Sequence, residues 1–145
     1  MKIPRMTVIT LGVSDLARST AFYSEIFSTP PITENEGVTF FPLPGVWLSL
    51  YPLEKLAEDI GEEVRLPAAG TFRGVTLAYN ARSKDEITHI FVRAATAGAH
   101  IAKTPQDTFW GGCSGYFSDP DGHYWEVAWG PMFDFTEHGD LRFKT

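Results

Sequence analysis

Apolar and polar residues follow two spacings along the chain, one typical of strands and one typical of helices. The β-branched run Thr7–Val13 predicts a strand, and Ser14 and Asp15 follow it as candidate caps of a helix. Apolar residues then recur near helical spacing and predict a helix that continues to about residue 27. These residues are Leu16, Phe22, Tyr23, Ile26 and Phe27.

The same order of elements returns in the second half of the chain. Arg73–Tyr79 predicts another strand, and its Thr76-Leu77 matches Thr10-Leu11 at an offset of 66 residues. Ser83 and Glu86 then form a capping box, the Ser-x-x-Glu pattern that begins a helix. The apolar face and the expected end of this second helix are Ile87, Ile90, Phe91, Ala94 and Gly98.

A hairpin follows each predicted helix. The first pairs residues 37–42 with 46–51 around Pro44-Gly45. The second pairs 115–118 with 123–129 across Asp119–Gly122, where proline sets φ and glycine accepts a positive φ. One short strand near Ile32 and another near Ile101 are expected to precede the hairpins. The sequence therefore predicts an α+β fold made of two βαβββ modules.

We expect a single domain over residues 1–145. Module one covers about 6–52, a linker 53–70, module two about 71–131 and a C-terminal tail 132–145. The linker contains a short predicted helix, Leu53–Ile60, and several acidic residues, which suit either a solvated helix face or a lid over a neighbouring cleft. The tail is rich in aromatic residues and is expected to pack on the body or on a partner subunit.

Composition and charge narrow the class of partner. The chain is 43% hydrophobic and 21% charged, as is ordinary for a globular protein, and its net charge of -6 disfavours nucleic acid and anionic membranes. Without an apolar run of about 20 residues or a signal-peptide core, we predict a cytoplasmic protein. Cys113 is the single cysteine, so an internal disulfide is excluded, and we expect a small buried residue rather than a nucleophile.

Two separated motifs resemble one known family. Residues 10–23 and the closing segment 119–127, together with the paired modules, resemble the vicinal oxygen chelate superfamily over roughly residues 6–131. That superfamily includes glyoxalase I, extradiol dioxygenases, fosfomycin-resistance enzymes and bleomycin-binding proteins. The chain looks most similar to uncharacterised glyoxalase-like proteins with a Trp-Gly-Gly segment before the closing hairpin. The resemblance implies curled mixed sheets around a cleft, with helices on the convex faces.

In the metal-dependent members of that superfamily, four side chains hold a divalent ion. Glu126, four residues after Gly122, matches the last ligand position, whereas the other three positions fall on Val8, Ser49 and Gly74. A catalytic metal usually takes at least three protein ligands, and none of the four histidines replaces one by position. We therefore expect no cofactor, with a divalent metal held by unexpected ligands as the alternative.

Strand alternation predicts which side chains share the face of Glu126. Large aromatic side chains, a few hydroxyls and one carboxylate suit a small-molecule site. The predicted ligand-binding cleft consists of Thr10, Trp47, Ser49, Tyr51, Thr76, Trp110, Tyr124 and Glu126. Trp110, ahead of two glycines, either closes over the opening or packs in the core beside a β-bulge.

Three roles for Glu126 remain open: a general base, an anchor for a cationic or hydroxylated ligand, and a carboxylate paired with an arginine such as Arg73. We expect a glyoxalase-like protein that binds a small molecule without a metal, for example to sequester an antibiotic or a metabolite. The alternative is a lyase or isomerase of the lactoylglutathione lyase type, or a dioxygenase-related enzyme, with Glu126 catalytic. A purely structural module is a third option. Relatives usually pair, so we expect a homodimer.

Overall fold

The computed structural model describes all 145 residues in two compact units, Met1–Arg73 and Gly74–Thr145. Each unit contains one of the predicted modules, and the α+β class is confirmed. None of the three helices has the length and apolar character that crossing a membrane requires.

The first unit is built around a three-stranded sheet. Its elements are β1 (Val8–Val13), α1 (Leu16–Ile26), β2 (Thr39–Phe41), β3 (Trp47–Pro52) and α2 (Leu53–Ile60). Strand β3 is central, parallel to β1 and antiparallel to β2. The strand expected near Ile32 is reduced to an isolated bridge with Phe40, whereas the linker helix has the predicted bounds.

Helix α1 begins at the predicted cap and covers one face of this sheet. The Asp15 carboxylate accepts a hydrogen bond from the Arg18 amide at 3.0 Å, which satisfies one of the free N–H groups at the helix start. On the sheet, Phe41 packs with Tyr23 and Phe27, at ring centroid distances of 6.3 and 5.4 Å. Strand alternation then turns Leu48 and Leu50 toward the core and Trp47 and Ser49 to the opposite face.

The second unit is built around a four-stranded sheet. Its elements are β4 (Thr76–Asn80), α3 (Lys84–Ala97), β5 (His100–Asp107), β6 (Cys113–Ser118), β7 (Tyr124–Trp129) and a tail hairpin, β8 (Phe133–Phe135) with β9 (Leu141–Phe143). The order in the sheet is β4-β7-β6-β5, with β4 parallel to β7 and the other pairs antiparallel.

The capping box of α3 forms only in part. The Ser83 hydroxyl accepts a hydrogen bond from the Glu86 amide at 3.2 Å, as predicted. The Glu86 carboxylate, however, accepts from the Arg82 amide at 2.7 Å and from the Tyr79 hydroxyl at 2.5 Å. Burial and this hydrogen bond raise the pKa of Tyr79 to about 12. Glu86 therefore ties the start of α3 to strand β4, and Gly98, with a φ of 101°, ends the helix as predicted.

Phe117 forms the centre of the core in the second unit. Its ring lies against Phe91 of α3 at a centroid distance of 5.7 Å and stacks on Trp125 at 6.3 Å. Gly115 lies on the same side of β6, where a Cβ atom would approach the Phe91 ring to 2.7 Å. Helix α3 thus covers the face that carries Gly115, Phe117 and Trp125.

The C-terminal tail contacts the second unit through an aromatic hairpin. Phe133 and Phe143 stack across β8 and β9 at 5.4 Å, and the Arg82 guanidinium lies 4.1 Å from the centre of the Phe135 ring. A cation over a ring face is attracted by the ring quadrupole. The tail is therefore held by the loop that precedes α3.

We predict that Phe117→Ala lowers the free energy of unfolding by about 3 to 5 kcal/mol, because the buried ring leaves a cavity between Phe91 and Trp125. Phe109→Ala is the matched control, since Phe109 is fully exposed and exposed substitutions usually stay within about 0.5 kcal/mol. Urea denaturation of both variants measures the difference. Equal losses in the two variants would contradict the central position of Phe117.

Candidate functional site

The strand registers show how the two modules correspond. Val8 lies opposite Trp47 in the first unit, and Thr76 lies opposite Tyr124 in the second. The helix caps agree with this correspondence, because Ser83 follows Asp15 by 68 residues and Thr76 follows Val8 by 68 residues. The predicted offset of 66 is therefore wrong by one turn of the strand pleat.

This correspondence corrects one of the four family ligand positions. Gly74 precedes β4 and has a φ of 76°, so it is a turn residue outside the sheet. Thr76 is the counterpart of Val8. The positions are then Val8, Ser49, Thr76 and Glu126, and the set still contains one charged donor.

Glu126 is paired with a tyrosine on the neighbouring strand. Tyr116 lies directly opposite it, and the Tyr116 hydroxyl donates a hydrogen bond to Glu126 Oε2 at 2.9 Å. That hydrogen bond, with partial burial and the carboxylate charge, raises the pKa of Tyr116. Sequence reasoning missed Tyr116, although counting both strands outward from the Asp119–Gly122 turn would have found it.

The positions around this pair are neutral. We define the Glu126 face as the side of β4, β6 and β7 that is opposite helix α3. In register, Ala78 lies beside Glu126, and Tyr124 lies beside Thr76. The side chains of the Glu126 face are Thr76, Ala78, Asn80, Ser114, Tyr116, Ser118, Tyr124, Glu126 and Ala128. Glu126 is the single charged residue among them.

The sites predicted in the first unit lie on the face opposite α1. Thr10 pairs with Ser49, and Val8 pairs with Trp47. Ser49 is buried, whereas the Trp47 side chain is 40% exposed and rests edge-on against Phe40 at 5.9 Å. Trp47 therefore keeps a ring surface available for stacking.

Helix α2 covers the far end of that face. Leu53 lies where a Cβ atom on Gly12 would be, and Gly12 pairs with Tyr51. The Tyr51 hydroxyl is hydrogen bonded to Asp59 of α2, and burial together with the Asp59 charge raises the pKa of Tyr51. Tyr51 is thus joined to the linker helix.

Trp110 lies in a tight loop of the second unit. Thr108 accepts a hydrogen bond from the Gly112 amide through its hydroxyl at 3.1 Å, and the Thr108 amide donates to the Gly112 carbonyl at 2.9 Å. A Cβ atom at Gly112 or Gly130 would overlap the Trp110 ring, so the ring packs directly on both glycines. This packing favours the structural interpretation of Trp110 over the lid.

The donor set does not fit a metal centre. Nowhere in the chain do three His, Cys, Asp or Glu side chains come together in an arrangement suited to a metal ion. Val8 has no donor atom, and the hydroxyls of Ser49 and Thr76 are weak ligands compared with a carboxylate or an imidazole. Glu126 is left with a tyrosine as its partner.

The chain belongs to the Glyoxalase/Bleomycin resistance protein/Dioxygenase superfamily, whose family profile matches residues 5–127. This confirms the resemblance inferred from the two motifs. The matched region includes both β-α-β-β-β modules and ends at β7.

Individual relatives differ in what their names describe. A metallothiol transferase, FosB of Shouchella clausii, is 29% identical over 134 residues, covering 90% of this chain and 83% of the relative. The crystal structure of a glyoxalase-related enzyme from Fulvimarina pelagi is 32% identical, with a TM-score of 0.85 over 99% of this chain and 100% of that one. A lactoylglutathione lyase from Agrobacterium tumefaciens shares the fold, with a TM-score of 0.68 at 20% identity over 93% of this chain and 100% of that one.

We predict that Tyr116 and Glu126 are energetically coupled by about 1 kcal/mol, the usual net value of one hydrogen bond. A double-mutant cycle with Tyr116→Phe, Glu126→Ala and the double variant measures this coupling by urea denaturation. Strictly additive effects of the two substitutions would show that the hydrogen bond does not contribute to stability.

Proposed function

We propose that this protein binds a small, partly aromatic molecule without a resident metal, as a sequestering protein of the glyoxalase-like type. The observation that supports the proposal is the isolated carboxylate of Glu126, held by Tyr116 on a sheet face that is otherwise neutral. Small-molecule sites typically combine apolar and aromatic surface with a few placed polar groups.

Each unit contributes surface suited to such a ligand. Tyr124 is half-buried beside Thr76 in the second unit, and Trp47 is 40% exposed in the first. Aromatic rings of this kind bind a flat ligand by stacking, which adds about 0.5 to 1.5 kcal/mol beyond the area that they bury. Glu126 would then orient the ligand through its polar groups.

Independence from metal is supported by the chemistry of the donor set. Other members of the superfamily are named for metal-dependent reactions, such as the metallothiol transferases. In this chain Val8, Ser49 and Thr76 occupy three of the four corresponding positions. We propose that the positions have been given over to contacts with an organic ligand.

We predict that a small aromatic ligand, found by screening tryptophan fluorescence, binds at least tenfold more weakly to Trp47→Ala and to Tyr124→Ala. The loss follows from removing a stacking surface of about 1.4 kcal/mol or more. Phe109→Ala, an exposed ring outside the predicted site, is the control. Calorimetry gives the affinities, and unchanged binding in both site variants would refute the proposed surface.

We predict that tag-free protein, grown in metal-replete medium and analysed by plasma mass spectrometry, contains well under one equivalent of transition metal per chain. The measurement is repeated after incubation with nickel, zinc or manganese and removal of the excess. Retention of close to one equivalent would show that ligands outside the four family positions form a metal site.

The comparisons favour one alternative, an enzyme of the lyase or isomerase type, because a structure 32% identical to this chain is described as a glyoxalase-related enzyme. In this alternative Glu126 is the general base. Turnover of a substrate by the wild type that is lost in Glu126→Gln would support it, and turnover that survives the substitution would exclude that role.

We also propose that the protein is a homodimer in the cytoplasm, as the sequence predicts. Strands β1 and β4 lie at open edges of their sheets, and exposed edges favour pairing with another chain. Sedimentation as a monomer at micromolar concentration would contradict the dimer.

A further inference from the structure

The Tyr116–Glu126 pair has a defined polarity. The phenol uses its one proton on Glu126 Oε2, at 2.9 Å. What the pair still presents is acceptor capacity: the second carboxylate oxygen and the free lone pair of the phenol oxygen. Neither group has a proton left to donate while Glu126 is ionised. The pair therefore suits a ligand that brings N–H or O–H donors.

The neighbouring positions do not neutralise this charge. On β4 the residue beside Glu126 is Ala78, whose methyl group leaves room next to the carboxylate. The adjacent rows contain hydroxyl, amide and methyl side chains. The nearest cationic residue in register is Lys103, an exposed side chain on β5 opposite Tyr116. It lies two strands from Glu126, about 10 Å away, where salt screens most of its effect.

We propose that Tyr116 is a positioning residue that makes the Glu126 face selective for a planar organic cation with paired N–H donors, an amidine or a guanidine. Two acceptors side by side match the forked geometry of such a cation, and charge-assisted hydrogen bonds are about twice as strong as neutral ones. An anion such as a phosphonate finds no donor at the pair and meets a like charge. This inference rests on the proposed binding function and specifies its ligand class.

The test compares three probes of similar size and different charge: benzamidine, benzamide and phenylphosphonate. Calorimetry at pH 7 should show that the wild type binds benzamidine about tenfold more tightly than benzamide, and phenylphosphonate more weakly than both. A tenfold ratio corresponds to about 1.4 kcal/mol, within the range of one charge-assisted hydrogen bond. Glu126→Gln should remove the preference for the cation.

Tyr116→Phe should reduce the ratio of benzamidine to benzamide affinity by about threefold or more, while the affinity for benzamide changes less than twofold. The ratio is the decisive quantity, because general damage to the fold would weaken all probes together. Tyr79→Phe is the matched control. Tyr79 also donates to a glutamate, Glu86, but belongs to the network that joins β4 to α3, so the ratio should not change.

Two outcomes would overturn the inference alone. If benzamide or phenylphosphonate binds the wild type as tightly as benzamidine, the face binds small molecules without selecting a cation. If Tyr116→Phe keeps the wild-type ratio, or weakens all three probes equally, Tyr116 does not set the selectivity. If no probe and no compound in the fluorescence screen binds at all, the proposed binding function fails and the inference fails with it.

Discussion

Phe117 packs between Phe91 of α3 and Trp125 of β7, and this contact decides which side of the second sheet faces ligand or solvent. Successive side chains of a strand point to opposite faces, so the register that buries Phe117 and Trp125 also places Tyr116 and Glu126 together on the other face. A slip of one residue would bury the carboxylate under a helix, which costs far more than the pairing energy of the strands. The core thus determines the position of the candidate site.

The same logic holds in the first unit, where α1 packs on Phe41 and turns Trp47 and Ser49 to the opposite face. The two modules therefore share one architecture and differ in the chemistry at matching positions. Ser49 in the first module corresponds to Glu126 in the second. A repeat that keeps its core but changes its polar residues is free to bind a different ligand at the same place in the fold.

Relatives in the superfamily show how far such change extends. The family match and the similarity to a metallothiol transferase and to a glyoxalase-related enzyme establish common architecture. The chain departs from the metal-binding members where Val8, Ser49 and Thr76 stand in place of ligands. Tyr116 completes the departure, because it occupies one oxygen of the remaining carboxylate with a hydrogen bond.

The sequence alone determined the two βαβββ modules, the caps at Asp15 and Ser83, the bounds of the linker helix and the closing hairpin, since each depends on local spacing, caps and turn residues. It also determined the family, through motifs at both ends of the repeat. Only the tertiary structure decided that Thr76 rather than Gly74 corresponds to Val8, because strand register depends on pairing with a distant strand. The partner of Glu126, the role of Glu86 and the packing of Trp110 on its glycines were decided in the same way. They follow from contacts across strands and loops, which no pattern along the chain records.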